Sequence, residues 1–334
     1  MTAFVIAEIG INHNGKLSKA IKMISEAKKS GANAVKFQSF IPKLVVRKSL
    51  GLAQYQVKGS GKIKKMINLL EKYSLSESQQ IKLSKACKKN NIEFISSAFD
   101  LKSLDFLIKK IKVKTLKIPS GEITNFPHLV KAAKSKKKII LSTGMSTLGE
   151  VRSAIKVLLK NGLKRNKLTL LHCNSSYPTE TKNLNLKAIN ILKSKFKTEV
   201  GFSDHSKSLI SAAAAVTFNA KIIEKHFTLN TNSKGPDHKS SLNPKQFSLM
   251  VNNLRETENA LGKEKKFITL SEKPNRKFAR KSIVAKINIA KGDTFSEKNL
   301  TTKRPATGLS PMNWRKIIGK KSKKFFKADD LILL

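Results

Sequence analysis

The sequence predicts an α/β protein: a (β/α)8 barrel, the TIM-barrel architecture, followed by a small, mostly β module. Three observations carry this. Short apolar runs alternate with amphipathic helical segments through about 260 residues, the size and rhythm of eight βα units. The runs are apolar throughout, as parallel strands covered on both faces require. Composition then changes after Gly262, and too few residues follow for another barrel unit. An open doubly wound sheet is the competing layout, but no Gly-x-Gly-x-x-Gly follows the first run.

In order, the first strand (4–10) precedes a helix at 18–30, with Ser18 as N-cap and Gly31 as stop. A second strand (34–40) leads into a longer excursion, 41–73. Ser76 with Gln79 then fits a capping box. Strands at 93–99, 115–121, 138–144 and 168–174 alternate with helices at 100–112, 126–136, Thr147 to near Gly162, and 186–196. Thr147 with Glu150 is a second capping box. The seventh unit is 199–205 with 208–219. The eighth is strand 221–229 with a helix opened by Asn243-Pro244 and closed by Gly262. The domain reading is therefore a barrel over 1–262, a polar aperiodic linker at 263–277, and a turn-rich module at 278–334, with short alternating segments at 282–287 and Ile317-Ile318.

Charge is the most unusual global property: 67 Lys+Arg against 22 Asp+Glu, net +45. That invites a nucleic-acid hypothesis. The lysines, however, spread over helix surfaces along the whole chain, and no basic block is interleaved with exposed aromatics, so no specific nucleic-acid partner is expected. Two cysteines, Cys87 and Cys173, point to a reducing compartment rather than a disulfide framework. The start of the chain shows no secretory pattern, and no apolar run reaches the ~20 residues of a membrane helix. The expected setting is soluble, cytoplasmic and away from membranes.

Polar residues gather where each strand ends, and in a barrel these ends converge on the catalytic face. They include Glu8, Lys36 with Gln38, Ser97, Lys117 with Ser120 and Glu122, Ser142, Ser175 with Tyr177, Ser203 with His205, and Glu224 with His226. Residues two apart on a strand share a face. If the last two strands are neighbours, His205 and His226 meet beside carboxylates (Glu224, Asp204, Asp237), a plausible divalent-metal site with open positions. Two separate, internally satisfied histidines are the competing explanation. Lys36 and Lys117, each between apolar neighbours in a strand, suit a small anion together with the serine hydroxyls.

Ala7-Glu8-Ile9-Gly10-Ile11-Asn12-His13-Asn14-Gly15, Lys36-Phe37-Gln38, Lys117-Ile118-Pro119-Ser120-Gly121-Glu122, Leu141-Ser142-Thr143-Gly144-Met145, Leu171-His172-Cys173, Ser203-Asp204-His205, Glu224-Lys225-His226-Phe227 and Gly235-Pro236-Asp237-His238 occur in that order. The set resembles the bacterial sialic acid synthase family, which includes N-acetylneuraminate and N,N'-diacetyllegionaminate synthases. The tail, from Lys281-Ser282-Ile283-Val284-Ala285 through Lys303-Arg304-Pro305, resembles that family's antifreeze-like (SAF) domain.

The resemblance implies an N-acetylneuraminate synthase-type reaction. Phosphoenolpyruvate condenses with the open-chain aldehyde of an N-acylmannosamine-type sugar, giving a nine-carbon 2-keto sugar acid and phosphate. Two alternatives remain open: N,N'-diacetyllegionaminate synthesis from 2,4-diacetamido-2,4,6-trideoxymannose and, more remotely, condensation with a sugar phosphate.

The resemblance also implies a divalent metal, Mn2+ first and Mg2+ or Co2+ as alternatives, on His205 and His226. By position Lys36, Ser97, Lys117, Ser120, Ser142 and Ser203 would hold phosphoenolpyruvate. Gln38, Glu122, Ser175, Tyr177 and Asp237 would serve the sugar or proton transfer. Glu8 and Glu224 are the candidates for the attacking water. Arg304 would reach the partner's substrate in a domain-swapped homodimer. Cys173-Asn174-Ser175 departs from the sialic acid branch, and a serine at 175 also occurs in the legionaminate and pseudaminate branches. Gly235 to Leu242 looks closer to the neuraminate and legionaminate branches.

Overall fold

The structure is a computed structural model that describes residues 2–52 and 63–333. Part of the excursion read at 41–73 thus lies outside the described residues. The chain divides into two compact units, Met1–Gly262 and Lys263–Leu334.

Unit 1 is a closed barrel of eight parallel strands in sequential order. Its elements are β1 (Phe4–Gly10), α1 (Leu17–Lys29), β2 (Ala34–Ser39), α2 (Pro42–Val45), α3 (Met66–Tyr73), α4 (Glu77–Lys89) and β3 (Glu93–Ala98). Next come α5 (Leu101–Phe106), β4 (Thr115–Ile118), α6 (Phe126–Lys134), β5 (Lys138–Ser142), α7 (Leu148–Lys160), β6 (Leu168–Cys173) and α8 (Ala188–Phe196). The unit ends with β7 (Glu199–Asp204), α9 (Ser211–Thr217), β8 (Ile222–His226) and α10 (Pro244–Leu261). Among the described residues no helix is long and apolar enough to cross a membrane.

Local chemistry explains several helix starts. Ser76 with Gln79, Thr147 with Glu150 and Asn243 with Gln246 each form a reciprocal capping box. The structure corrects the first start: α1 begins at Leu17 after Lys16, which offers no side-chain cap, so Ser18 lies inside the helix. The helix expected at 208–219 is only Ser211–Thr217, because the preceding residues form a turn tied by Ser206 and Ser208 hydroxyls.

The alternation of strand side chains divides the core into two layers. Residues facing the helices join the main hydrophobic cluster, among them Val5, Phe37, Leu141, Phe202 and Ile223. Residues facing the lumen form a small separate plug of Ile6, Ala34, Ile95, Ile140 and Leu171 at the N-terminal end. The lumen is tight there: a Cβ on Gly201 would lie 2.5 Å from Ile222 O and 2.7 Å from Leu171 Cδ2. Two residues further along, the lumen positions turn polar on every strand but β6, where Cys173 stands, and they form the floor of the site.

Unit 2 holds a helix, α11 (Glu272–Ala279), which begins inside the stretch read as an aperiodic linker and runs two residues past it. An antiparallel pair, β9 (Ser282–Ala285) and β10 (Leu300–Lys303), follows around a core of Ile283, Ile289, Phe295 and Phe326. Ile317-Ile318 is not an extended segment. It ends a helical turn, α12 (Trp314–Ile317), which buries Ile317.

Candidate active site

Strand register sets the floor. β8 closes on β1 with Glu8 opposite His226, β7 pairs β8 with Ser203 opposite Glu224, and β3 pairs β4 with Ser97 opposite Lys117. These side chains enter a cavity of about 380 Å3. Glu8, Lys36, Gln38, Ser97, Lys117, Ser120, Ser142, Ser175, Tyr177, Ser203, His205, Glu224, His226 and Asp237 all line it. Glu122 is not among the lining residues; Asn125 Nδ2 donates to its carboxylate at 2.5 Å in the turn before α6. Arg304 belongs to unit 2, where it is exposed just after β10.

At the centre lie two ammonium and two carboxylate groups. Lys36 Nζ is 2.7 Å from Glu8 Oε2 and 3.8 Å from Glu224 Oε1, and Lys117 Nζ is 3.3 Å from the same Glu224 oxygen. Ser203 Oγ donates to Glu224 Oε1 at 2.9 Å, and Lys36 donates to Ser97 Oγ at 3.5 Å. All four charged groups are buried.

The two carboxyls are driven apart. Burial raises Glu8 to about 7 even against Lys36, with the Glu224 charge adding to the rise. Burial also pushes Glu224 up, but Lys117 and Lys36 outweigh it and hold it down at about 2. Lys36 is raised, since Glu224 and Glu8 overcome its desolvation, whereas burial lowers Lys117. Asp237 is raised by burial to about 6. A protonatable carboxyl beside a permanently ionised one is the usual division of labour in acid–base sites.

The imidazoles of His205 and His226 lie with ring centroids 5.4 Å apart, and the Tyr177 ring lies 4.3 Å from His205. Burial lowers both, His205 to about 4 and His226 well below the usual histidine value, so both rings are neutral near pH 7. His205 donates Nδ1–H to Asn174 O at 2.5 Å, which leaves Nε2 with its lone pair beside Ser203 Oγ at 3.3 Å. His226 Nδ1 and Glu224 Oε2 are buried without a hydrogen-bond partner. Among the described residues no three His, Cys, Asp or Glu side chains gather to hold an ion. His205 and His226 are the two side chains placed to hold an ion. Neutral, oriented imidazoles with an unpartnered carboxylate oxygen nearby fit a divalent ion of intermediate softness.

Ser120 and Ser175 line the cavity beside Gly144. Gly144 makes room for them: a Cβ there would lie 2.4 Å from Ser175 Oγ and 2.9 Å from Ser120 Oγ. Its N–H donates to Ser120 Oγ at 3.0 Å.

Sequence reasoning missed two features. One is an apolar wall of Phe40, Val45, Val46, Met66, Leu70 and Phe99 on the same cavity. Val45, Val46, Met66 and Leu70 come from short segments of the 41–73 excursion with no period to reveal them, and Phe40 and Phe99 from the ends of the second and third strand readings. The other is Asn174, whose backbone carbonyl orients His205, a role that side-chain identity does not signal.

The sequence pattern of the NeuB family matches residues 23–266, and that of the SAF domain matches residues 280–334. The chain is 47% identical over 328 residues to an N,N'-diacetyllegionaminic acid synthase of Campylobacter jejuni, with 98% of each chain covered. It is 41% identical over 322 residues to a protein of the same name from Legionella pneumophila, covering 96% of this chain and 90% of the other. Among solved structures, an N-acetylneuraminic acid synthetase from Leptospira borgpetersenii superposes with a TM-score of 0.72 at 34% identity, covering 82% of this chain and 90% of that one.

Proposed function

The chain belongs to the NeuB family, whose synthases condense phosphoenolpyruvate with a sugar, and we propose that its sugar is a 2,4-diacetamido-2,4,6-trideoxymannose in open-chain form. The product is then N,N'-diacetyllegionaminate plus phosphate. The observation that carries the sugar choice is the 47% identity to a legionaminate-type synthase across 98% of both chains. The apolar wall agrees with it. A 6-deoxy carbon and a second acetamido methyl can rest on Phe40, Val46, Leu70 and Phe99, where a hydroxyl would lose its hydrogen bonds. N-acetylmannosamine is the second reading, favoured by the likeness to the Leptospira synthetase.

The chemistry follows from the floor. Lys36 and Lys117, with Ser97, Ser120, Ser142 and Ser203, bind the phosphate and carboxylate of phosphoenolpyruvate. Gln38, Ser175, Tyr177 and Asp237 orient the sugar. The phosphoenolpyruvate methylene attacks the aldehyde carbon, forming the new C–C bond and leaving electron deficiency at the enol carbon. Water adds there, and the resulting hemiketal expels phosphate to give the ketone.

Glu8, poised near neutrality, supplies the proton that the aldehyde oxygen gains and accepts one from the attacking water. Glu224 stays ionised and holds both ammonium groups in place. Synthases of this family are metal-dependent. In this chain His205 and His226 would hold the ion, with Mn2+ our choice, and it would supply Lewis acidity at the aldehyde oxygen.

Arg304 of the partner subunit, brought by a domain-swapped homodimer, would contact the N-acyl group. Glu122, next in the chain to the lining residue Gly121, would have a lesser part.

The test is phosphate release from phosphoenolpyruvate and Mn2+ with each sugar in turn. We expect kcat/KM for the diacetamido-trideoxy sugar to exceed that for N-acetylmannosamine at least tenfold. The reverse order would establish the neuraminate reading, and release only with a phosphorylated sugar would overturn both.

A further inference from the structure

One charged pair lies outside the cavity yet alternates with its residues. Asp204 and Lys225 are register partners on β7 and β8. Asp204 stands between Ser203 and His205, and Lys225 between Glu224 and His226. Because those neighbours face the lumen, Asp204 and Lys225 face the helical layer. Their contacts agree: Ser211, the first residue of α9, donates its hydroxyl to Asp204 Oδ2. The Nζ–Oδ2 distance is 2.6 Å, and both side chains are completely buried.

The pair is densely hydrogen-bonded. Lys225 Nζ donates to Asp204 Oδ2 at 2.6 Å, to Ser206 O at 2.7 Å and to Ser208 O at 3.2 Å, which accounts for its three protons. Asp204 Oδ1 accepts the Ser206 N–H at 2.8 Å. One ammonium thus ties down the chain on both sides of His205 from the strand that carries His226. Asn174 O holds the His205 ring from the opposite direction, and Thr179 N–H donates to His205 O at 3.0 Å.

Stability alone does not account for such a pair. Replacing a buried ion pair by apolar residues of similar volume is commonly neutral or stabilising. What an apolar pair cannot do is fix three backbone positions around a ligand residue.

We propose that the Asp204–Lys225 pair is a positioning device that holds the imidazoles of His205 and His226 at the separation a divalent ion requires. The inference rests on the reading of those histidines as metal ligands. Neither Asp204 nor Lys225 touches substrate or ion; both act through the backbone that carries the ligands.

The experiment measures Mn2+ affinity of the full-length, metal-stripped protein by electron paramagnetic resonance, alongside its thermal midpoint. The double variant Asp204→Leu/Lys225→Met removes both charges together. It should bind Mn2+ 10–100-fold more weakly, the range typical of groups that orient metal ligands, in protein that still melts cooperatively, at a lower midpoint because Ser206 N–H, Ser206 O and Ser208 O lose their partners. Unchanged Mn2+ affinity in the folded double variant overturns the proposal.

Should the double variant fail to fold, Ser211→Ala decides, since it removes one hydroxyl behind the pair. A several-fold weaker Mn2+ affinity supports the proposal and an unchanged one overturns it. Wild type and His226→Ala are measured alongside. If wild type binds Mn2+ no better than His226→Ala, the ligand reading itself has failed, a result distinct from failure of the positioning role.

Discussion

Glu8 and Glu224 reach into one lumen from adjacent strands, both within 4 Å of the Lys36 ammonium, yet their carboxyls are pushed in opposite directions. Glu8 rises to about 7 and Glu224 falls to about 2. The asymmetry comes from Lys117, which contacts Glu224 at 3.3 Å and leaves Glu8 with Lys36 as its ion-pair partner.

Glu8→Gln keeps the shape of this carboxyl and removes its proton traffic. We expect kcat to drop about 10²–10⁴-fold, the usual worth of a general acid–base group. Stability should be unchanged or improved, because a costly buried acid is gone. Steady-state kinetics with a thermal melt separates the two effects.

Lys36→Met strips two carboxylates of a shared ammonium. Leaving one side of a buried ion pair uncompensated costs about 3–5 kcal/mol. Adding Glu8→Gln, which removes the carboxylate left without an ammonium, should recover part of that loss, and urea melts of the two single variants and the double variant give the coupling directly.

Gly201→Ala tests the packing of the lumen. The new methyl would sit 2.5 Å from Ile222 O, a backbone atom that cannot turn aside. The expected cost is about 1–3 kcal/mol, read as a lower urea midpoint.

Leu70→Asn tests the apolar wall. Selectivity for the diacetamido-trideoxy sugar over N-acetylmannosamine should fall several-fold, since a polar group there favours the hydroxylated sugar. A ratio of kcat/KM values unchanged from wild type would remove Leu70 from specificity.

Acid sensitivity should come partly from His13, which lies in the loop after β1 and accepts the Gly15 N–H at 3.0 Å. Burial, helped by the charge of Lys19, lowers it to about 4. Its folded value lies below the unfolded value of about 6.5. Between these the unfolded chain binds a proton that the native state refuses, so stability is full above about 6.5 and drains as pH falls toward 4. The stability gap between wild type and His13→Asn should therefore shrink by about 1–2 kcal/mol between about pH 7 and pH 5. Urea melts at the two pH values check it.

The barrel was legible because eight apolar runs alternate with helical segments, and its floor because polar residues recur where those runs end. Lys36 and Lys117 stood out as lysines between apolar neighbours. Lys225 escaped the same test because its neighbours, Glu224 and His226, are polar lumen residues; the alternation that places them inward places Lys225 outward. The wall from Phe40 to Phe99 was hidden because it assembles from segments far apart in sequence. Ser18 misled because a serine near a helix start caps it only if the backbone turns there, and the turn falls at Lys16.

The central claim is that the neutral imidazoles of His205 and His226 and the paired ammonium groups Lys36 and Lys117 form one reaction centre. The most direct test is phosphate release from phosphoenolpyruvate and the diacetamido sugar with Mn2+, comparing wild type, chelator-treated wild type and folded His226→Ala. The account expects sugar-dependent release by wild type, lost on chelation and lost in the variant. Near-wild-type release by folded His226→Ala would contradict it.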